Sequence, residues 1–286
     1  MGVFLLSEFQ FDFFIFKKKI FMKTRFILII LIPTLFYLNS CKKKSTTSTG
    51  VDSTLVGLIA YYPFNNNGLD ISGKNHNASS VVNVSPVADR FGVANSAYLF
   101  SGNSYLIVPD DSTLRLSNTD YTLNYWVNLT AYSSTYGIVP LSKRGVGTSN
   151  GWITGISGPL AKDGISGRND IAISGGADPI AYGNTVIPLS AWRMITITFS
   201  LKTKTISIYV NGVLDNTISN IPSPNSTTNT PMVIGGDSQG SVNPNVFSYF
   251  FTGVLDDIRI YNRKISQGNI SLLFNKSTGN YSNSIN

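Results

Sequence analysis

The chain has 286 residues, one histidine, one cysteine and a formal net charge of +7. Residues 1–44 carry eight Lys or Arg against two acids, whereas the rest of the chain carries 14 bases against 13 acids. A nearly neutral remainder excludes the broad basic face on which nucleic-acid-binding proteins depend. The single cysteine, Cys41, excludes a disulfide within one chain and a cysteine-rich zinc site.

The N-terminal segment has the pattern of an export signal. Lys23 and Arg25 precede an apolar run over residues 26–38, which is shorter than the roughly 20 residues of a membrane-spanning helix. The sequence LNSC that ends at Cys41 resembles a bacterial lipobox, in which the cysteine is acylated after cleavage. The resemblance implies a lipoprotein signal peptide over residues 22–40 and a lipid anchor at Cys41.

The same resemblance implies a place for the protein in the cell. A lipid-anchored protein of this type is expected in a Gram-negative envelope, at the outer membrane. We expect residues 1–21 to precede the true start of translation, and the polar residues 41–54 to be a flexible tether. The alternatives are a signal anchor that is not cleaved and a cysteine that occurs at this position by chance.

Short β-rich runs follow one another from residue 55 to residue 274, separated by clusters of turn residues. This spacing predicts one all-β domain over residues 55–274, a sandwich of two antiparallel sheets, followed by a polar tail over residues 275–286. Residues 222–248 are rich in Pro, Asn, Ser and Thr and predict a long surface loop. The predicted strands are 58–64, 98–100, 105–108, 121–129, 138–141, 171–174, 194–200, 205–210, 213–218 and 253–261.

Five blocks of sequence resemble laminin-G-like, concanavalin A-like jelly-roll domains. They are DISGKN at 70–75, FSGNSY at 100–105, YTLNYWVN at 121–128, YVNG at 209–212 and GVLDDIRIYN at 253–262. Within YVNG, Asn211-Gly212 predicts a two-residue hairpin turn with positive φ angles. The chain departs from the family after the last block, where Gln267 stands in a region that usually holds a glutamate. The resemblance implies the fold but no particular ligand, since this architecture carries many functions.

The last block places two acidic residues in the middle of an apolar strand. Asp256 shares strand parity with Val254 and Ile258, so we expect it to point inward and Asp257 to point outward. The resemblance implies a structural calcium where the first and last strands meet, with Asp70 and Asp256 as ligands. The alternative is that Asp256 accepts backbone hydrogen bonds and Asp70 caps a turn.

Several residue types that hydrolytic enzymes need are missing from the predicted domain. The only glutamate is Glu8, in the signal region, and glycosidases of this fold generally use two glutamates. Asp256 and Asp257 are adjacent on a strand and should face opposite sides. The only histidine, His76, lies in a polar KNHN segment that predicts an exposed loop. We therefore predict no enzymatic activity. The less favoured alternative is a divergent polysaccharide lyase or hydrolase.

Carbohydrate binding needs aromatic rings that reach the surface. Aromatic residues outside the regular apolar rows are the candidates, with ordinary edge packing as the alternative for each. The sequence thus predicts a non-catalytic, surface-anchored carbohydrate-binding or adhesion module that recognises a polysaccharide or glycoprotein. The alternative is a structural protein that binds another envelope protein. The candidate rings belong to Tyr132, Tyr136, Trp152, Tyr182 and Phe247.

Overall fold

The computed structural model describes residues 52–145, 151–173, 180–226, 229–238 and 249–276, which all belong to one unit, Thr49–Asn286. Within these ranges the helical elements are a 3₁₀ turn (Ser112–Arg115) and one α-helix, α1 (Gln267–Asn275). The strands, in chain order, are β1 (Leu58–Tyr62), β2 (Ser80–Val82), β3 (Ser85–Val87), β4 (Ala97–Ser101), β5 (Tyr105–Val108), β6 (Tyr121–Leu129), β7 (Gly137–Ile138), β8 (Leu141–Arg144), β9 (Gly151–Ser157), β10 (Arg168–Ile173), β11 (Ile180–Val186), β12 (Arg193–Ser200), β13 (Thr205–Val210), β14 (Val213–Ile218), β15 (Met232–Ile234) and β16 (Thr252–Tyr261).

The strands form two antiparallel sheets of eight. Sheet A has the order β14-β13-β12-β6-β16-β4-β3, and β1 pairs with β16. Sheet B has the order β11-β10-β9-β8-β15-β5-β2, and β7 pairs with β9. The last strand, β16, lies beside β1, β4 and β6, so the two ends of the domain meet within one sheet. This arrangement confirms the predicted all-β jelly-roll sandwich.

The main core lies between the two sheets and is built from alternate residues of the strands. Ile195, Ile197 and Phe199 of β12 are fully buried there, and Ile171 of β10 reaches the same core from sheet B. The intervening residues of each strand point to the outer faces, because side chains alternate across a strand. The predicted turn is also confirmed, since Asn211 and Gly212 have φ angles of 51° and 80°.

The two outer faces of the sandwich differ in what covers them. Helix α1 packs Ile270 and Leu273 against the outer face of sheet A, where Trp126 stacks on Phe274 with ring centroids 5.7 Å apart. The outer face of sheet B carries a small apolar cluster centred on Ile153, and no described helix lies over it. None of the described helices has the length and apolar character needed to cross a membrane. Both outer faces keep accessible surface, since a pocket lined by Arg90, Trp126 and Phe274 also lies on the side of sheet A.

Parts of sheet B were not anticipated from the sequence. The prediction of a loop over 222–248 is wrong in part, because β15 lies inside that range, buried between β8 and β5. Its run of three apolar residues is too short to show a period of two. Strand β9 was missed because Gly151 and Gly155 interrupt its alternation, and β11 holds Gly183 in a similar position. The predicted strand 138–141 is two strands, β7 and β8.

Candidate functional site

A groove lies on the outer face of sheet B, with a volume of about 210 Å³. Pockets for drug-sized ligands usually enclose roughly 300–1,000 Å³, so this one has room for a single small ring and not for a whole large ligand. We call it the tyrosine groove, defined by Tyr136, Arg144, Ile153, Asp170, Ala172 and Tyr249.

The floor of the groove is an apolar row across three adjacent strands. Ala172 of β10 pairs with Ile153 of β9 on one side and with Ile180 of β11 on the other. All three side chains point outward, because Ile171 and its neighbours on the opposite parity fill the core. This row offers a flat, non-polar surface at the bottom of the groove.

A second row, two residues along, brings a carboxylate to the same floor. Asp170 pairs with Gly155 on β9 and with Tyr182 on β11. A Cβ atom added at Gly155 would lie 2.5 Å from Oδ1 of Asp170, so the missing side chain makes the space that the carboxylate occupies. Gly155, which interrupts the alternation of β9 in the sequence, therefore leaves room for the Asp170 carboxylate in the groove.

Asp170 has an unusual electrostatic environment. Its carboxylate makes no hydrogen bond or ion pair with any residue that the structure describes. Burial, and next the negative charge of Asp163, raise the pKa of Asp170 from 3.8 to about 7. Burial, with Asp170 as the next cause, also raises the pKa of Tyr182 to about 12, so this hydroxyl stays protonated near neutral pH.

The positive charges near the groove are paired. Arg144 Nε donates to Asp237 Oδ1 at 2.9 Å and its Nη2 donates to Oδ2, while Asp237 is fully buried. This fork-shaped pairing holds the guanidinium in one orientation on the groove wall. Arg168 lies 3.1 Å from Oδ2 of Asp163. Among the charged groups described around the groove, Asp170 is the one without an opposite charge beside it.

Two exposed tyrosines stand at the rim. The side chains of Tyr136 and Tyr249 are 59% and 37% exposed, and their rings meet edge to face with centroids 6.4 Å apart. The Val139 amide donates to the Tyr249 carbonyl at 2.9 Å, which ties the two rim segments together. Tyr249 has a φ angle of 53°, a conformation that costs a bulky residue on the order of 1–3 kcal/mol. Backbone strain of this kind is common at ligand-binding positions.

Three of the five predicted aromatic residues lie at or near the surface. Tyr136 is on the groove rim, and Tyr182 lies beside Asp170 on the edge strand β11. Tyr132 is half-buried away from the groove, because its hydroxyl donates to the Ile187 carbonyl at 2.8 Å and its ring packs on Gly167. The structure thus brings two of these aromatic residues to the same region of sheet B.

Trp152 contradicts the prediction that it is a surface aromatic. It is fully buried in the main core, and its Nε1 donates to the Leu114 carbonyl at 2.9 Å. The reason is that residue 152 belongs to strand β9 and shares the inward parity of Ile156. Phe247 lies outside the described residues.

Asp170 and Tyr249 of the groove were not among the residues predicted from the sequence. Asp170 has the parity opposite to Ile171 and Ile173, which would have placed it outward had β10 been extended to Arg168. Tyr249 lies in an irregular segment before β16, where no sequence period indicates an orientation. The pairing of Asp170 with Gly155 depends on sheet order, which the sequence does not give.

The predictions that Asp256 points inward and that the two acids face opposite sides are wrong, because Asp256 pairs with Trp126 on the outer face of sheet A. Both are buried and both bind Arg90, whose Nη1 lies 2.5 Å from Asp256 Oδ2 and whose Nη2 lies 2.7 Å from Asp257 Oδ2. A β-bulge between Asp256 and Arg259, with a φ angle of 51° at Asp257, breaks the alternation. The bulge lies where the neighbour of β16 changes from β4 to β1.

The pKa values of the two carboxylates are shifted in opposite directions. Burial and the neighbouring Asp257 raise the pKa of Asp256. Asp257 Oδ1 also accepts hydrogen bonds from Arg259 Nη2 at 3.0 Å and from the Tyr61 hydroxyl at 2.5 Å. Although burial opposes it, this set, led by Arg259, lowers the pKa of Asp257. This charged cluster therefore lies at the junction of β16 with β4 and β1.

The second predicted calcium ligand, Asp70, has a different set of partners. Its Oδ1 accepts from the amides of Tyr61 and Ser72 at 2.9 and 2.8 Å, and its Oδ2 accepts from the His76 amide at 2.9 Å. No group of three or more His, Cys, Asp or Glu side chains in the described part of the chain is arranged to hold a metal ion. Calcium binding at Asp70 and Asp256 remains a prediction.

The expectation of an exposed His76 is wrong. Its side chain is buried, with Nδ1 2.8 Å from the Ile59 carbonyl and Nε2 3.2 Å from Thr113 Oγ1. The residues around His76 in the sequence are polar, but the imidazole itself packs against the first strand, β1. His76 therefore lies in a structural position, away from the tyrosine groove.

Comparison with known proteins agrees with this fold. The family model for the concanavalin A-like lectin/glucanases superfamily matches residues 100–271, more than half of the chain. No curated protein matches. Domain 4 of AbnA, an extracellular GH43 arabinanase of Geobacillus stearothermophilus solved with arabinotriose, is 20% identical with a TM-score of 0.56, and the match covers 76% of this chain and 97% of that one.

Two toxin domains are similar as well. The binding domain of Paraclostridial Mosquitocidal Protein 1 is 19% identical with a TM-score of 0.58, and the match covers 78% of this chain and 52% of that one. The binding domain of botulinum neurotoxin DC, solved with SialylT, is 17% identical with a TM-score of 0.54 and the same coverage. This chain therefore spans about half of each toxin domain, and at these identities the likeness shows the fold alone. The match of the family model to most of the folded residues shows that the chain belongs to the concanavalin A-like lectin/glucanases superfamily.

Proposed function

We propose that this domain is a non-catalytic carbohydrate-binding module and that the tyrosine groove is its binding site. The observation that carries the proposal is the pair of exposed rings, Tyr136 and Tyr249, at the mouth of a groove with an apolar floor and one carboxylate. A sugar ring presents C–H groups on its faces and hydroxyl groups around its edge. The groove offers matching groups for both, aromatic and aliphatic surface for the C–H faces and Asp170 for the hydroxyls.

The solved neighbours support a saccharide as the class of ligand. The AbnA domain was solved with arabinotriose, and a botulinum neurotoxin binding domain was solved with SialylT. The present chain shares their fold at 17–20% identity, so the sugar itself does not carry over. The size of the groove favours recognition of one sugar unit within a longer polysaccharide or glycoprotein glycan.

The absence of catalysis is part of the proposal. Glycoside hydrolysis generally needs two carboxyl groups about 5–10 Å apart across the scissile bond. The described lining of the groove contains one, Asp170. Asp256 and Asp257 form a second acidic pair, but Arg90 occupies both of them inside the fold.

The proposed location is the cell surface, with the domain anchored by lipid at Cys41 and carried on a tether. This part rests on the sequence pattern around Cys41, which lies outside the described residues. Detergent-phase partitioning of the mature protein tests it. The wild-type protein should enter the detergent phase and Cys41→Ser should stay in the aqueous phase. Equal partitioning of the two proteins would refute the lipid anchor.

A glycan array followed by calorimetry tests the binding function. Wild type should bind at least one glycan, and the double variant Tyr136→Ala/Tyr249→Ala should lose about tenfold or more in affinity, because it removes the rings that cover the sugar. Leu214→Ala is the matched control, since Leu214 is 54% exposed on sheet A, away from the groove.

Three results would contradict the proposed function. Equal binding by the double variant would place the sugar elsewhere. Capture of one envelope protein without any glycan signal would favour a structural or assembly role. Release of reducing ends or unsaturated sugars from a polysaccharide panel would show that the domain is an enzyme.

A further inference from the structure

Asp170 stands out among the ionisable groups of the tyrosine groove. Arg144 is held by Asp237, and Arg168 is held by Asp163, so both of these pairs are electrically balanced. Asp170 makes neither a hydrogen bond nor an ion pair with a described residue. When Asp170 is ionised, the groove therefore carries one unbalanced negative charge on its floor.

Among the described residues, none beside Asp170 balances this charge. From β9 it faces Gly155, which has no side chain, and from β11 it faces Tyr182. The nearby charged groups are Asp163, which repels it, and Arg168, which is already bound to Asp163. An ionised carboxylate only accepts hydrogen bonds, so its missing partners must be donors. A bound ligand can supply such donors.

We propose that Asp170 makes the tyrosine groove selective for sugars that offer hydroxyl or amine donors and carry no negative charge, and that it excludes uronic and sialic acids. This inference rests on the proposed function and names the ligand class of the same site. A neutral sugar donates hydroxyl protons to the carboxylate, and an amino sugar adds an opposite charge. An acidic sugar places a second carboxylate within the same groove of about 210 Å³.

The size of the effect follows from the short distances inside the groove. Two like charges about 6 Å apart near a protein surface repel strongly enough to lower affinity by about tenfold or more, even with partial screening by salt. Protonation of Asp170 removes the repulsion. Since burial and Asp163 raise the pKa of Asp170 to about 7, the exclusion should weaken between pH 8 and pH 5.5. Tyr182 stays neutral throughout this range.

The test compares wild type with Asp170→Asn on an array of neutral, amine-bearing and carboxylate-bearing glycans at pH 8 and pH 5.5. Asparagine keeps the size of the side chain and removes its charge. Asp120→Asn is the matched control, because it makes the same change of charge where Asp120 Oδ1 accepts from the Leu201 amide, before β6 of sheet A. Thermal melting shows that each variant is folded.

The expected result is that wild type at pH 8 binds neutral or amine-bearing glycans at least about tenfold more strongly than their acidic counterparts. Asp170→Asn should reduce this preference, and pH 5.5 should reduce it in wild type but not in the variant. Acidic glycans as the preferred wild-type ligands, or an unchanged preference in Asp170→Asn, would overturn the inference alone. No glycan bound by either protein would overturn the proposed function and this inference together.

Discussion

Replacing Arg90 with alanine should destabilise the fold more than its place outside the main core would indicate. Its side chain is 5% exposed and binds both Asp256 and Asp257. Its guanidinium also lies 4.4 Å from the ring centroids of Phe91 and Trp126. Removing Arg90 leaves two adjacent buried carboxylates with less positive charge and uncovers two aromatic rings.

The magnitude follows from what is left behind. Breaking a buried ion pair by removing one partner costs about 3–5 kcal/mol, because the remaining charge stays buried without its partner. In a domain of this size each kcal/mol lowers the melting temperature by about 2–4 °C. Arg90→Ala should therefore melt about 6–20 °C below wild type.

Urea denaturation and calorimetry measure the effect, and two further variants identify its cause. Arg90→Lys keeps the charge but loses the fork that binds both acids, so it should fall between wild type and Arg90→Ala. Arg90→Ala/Asp256→Asn should regain stability, since Asp256 is the carboxylate whose pKa is raised and its neutral form suits the buried site. A loss below about 1 kcal/mol in Arg90→Ala, or no recovery in the double variant, would refute the reasoning.

Four further predictions test the groove, the core and the metal. Asp170→Asn should raise the melting temperature at pH 8 but hardly at pH 4. The folded protein holds a proton on Asp170 up to about pH 7, whereas the unfolded chain releases it near 3.8, so stability falls as pH rises through this window; an equal shift at both pH values would contradict the raised pKa. Gly155→Ala should cost about 1–3 kcal/mol by denaturation and weaken glycan binding, because the new Cβ meets the Asp170 carboxylate. Trp152→Ala should cost about 3–5 kcal/mol and leave the order of glycan preference unchanged, and a selective loss of binding would return Trp152 to the site. If calcium binds Asp256, a chelator should lower the melting temperature of wild type more than that of Asp256→Asn, and an unchanged wild-type melting temperature would exclude the metal.

Strand β16 shows how far a sequence pattern reaches. Its motif predicts the strand and the family, and both are confirmed. The orientation of Asp256 was not predictable, because it depends on a bulge at the point where β16 changes partners. A bulge of one residue reverses the parity that sequence reasoning depends on.

The groove shows the complementary limit. Ile153 and Asp170 come from the consecutive strands β9 and β10, whereas Tyr249 lies just before β16, and sheet order brings the three together. Strand β9 is interrupted by glycine and Tyr249 lies in an irregular segment, so no sequence period indicates which way Ile153 and Tyr249 point. Trp152 was misplaced for the same reason.

The sequence by itself determined the all-β class, the hairpin turn at Asn211 and the superfamily, because alternation and turn chemistry are local properties. Tertiary structure alone decided that helix α1 packs against the outer face of sheet A. It also decided which acids are paired, because Arg90 reaches Asp256 and Asp257 across 166 and 167 residues of chain, while Asp170 meets no such partner in the described part of the chain. Contacts between distant segments form only when the sheets assemble, and the candidate site consists of such contacts.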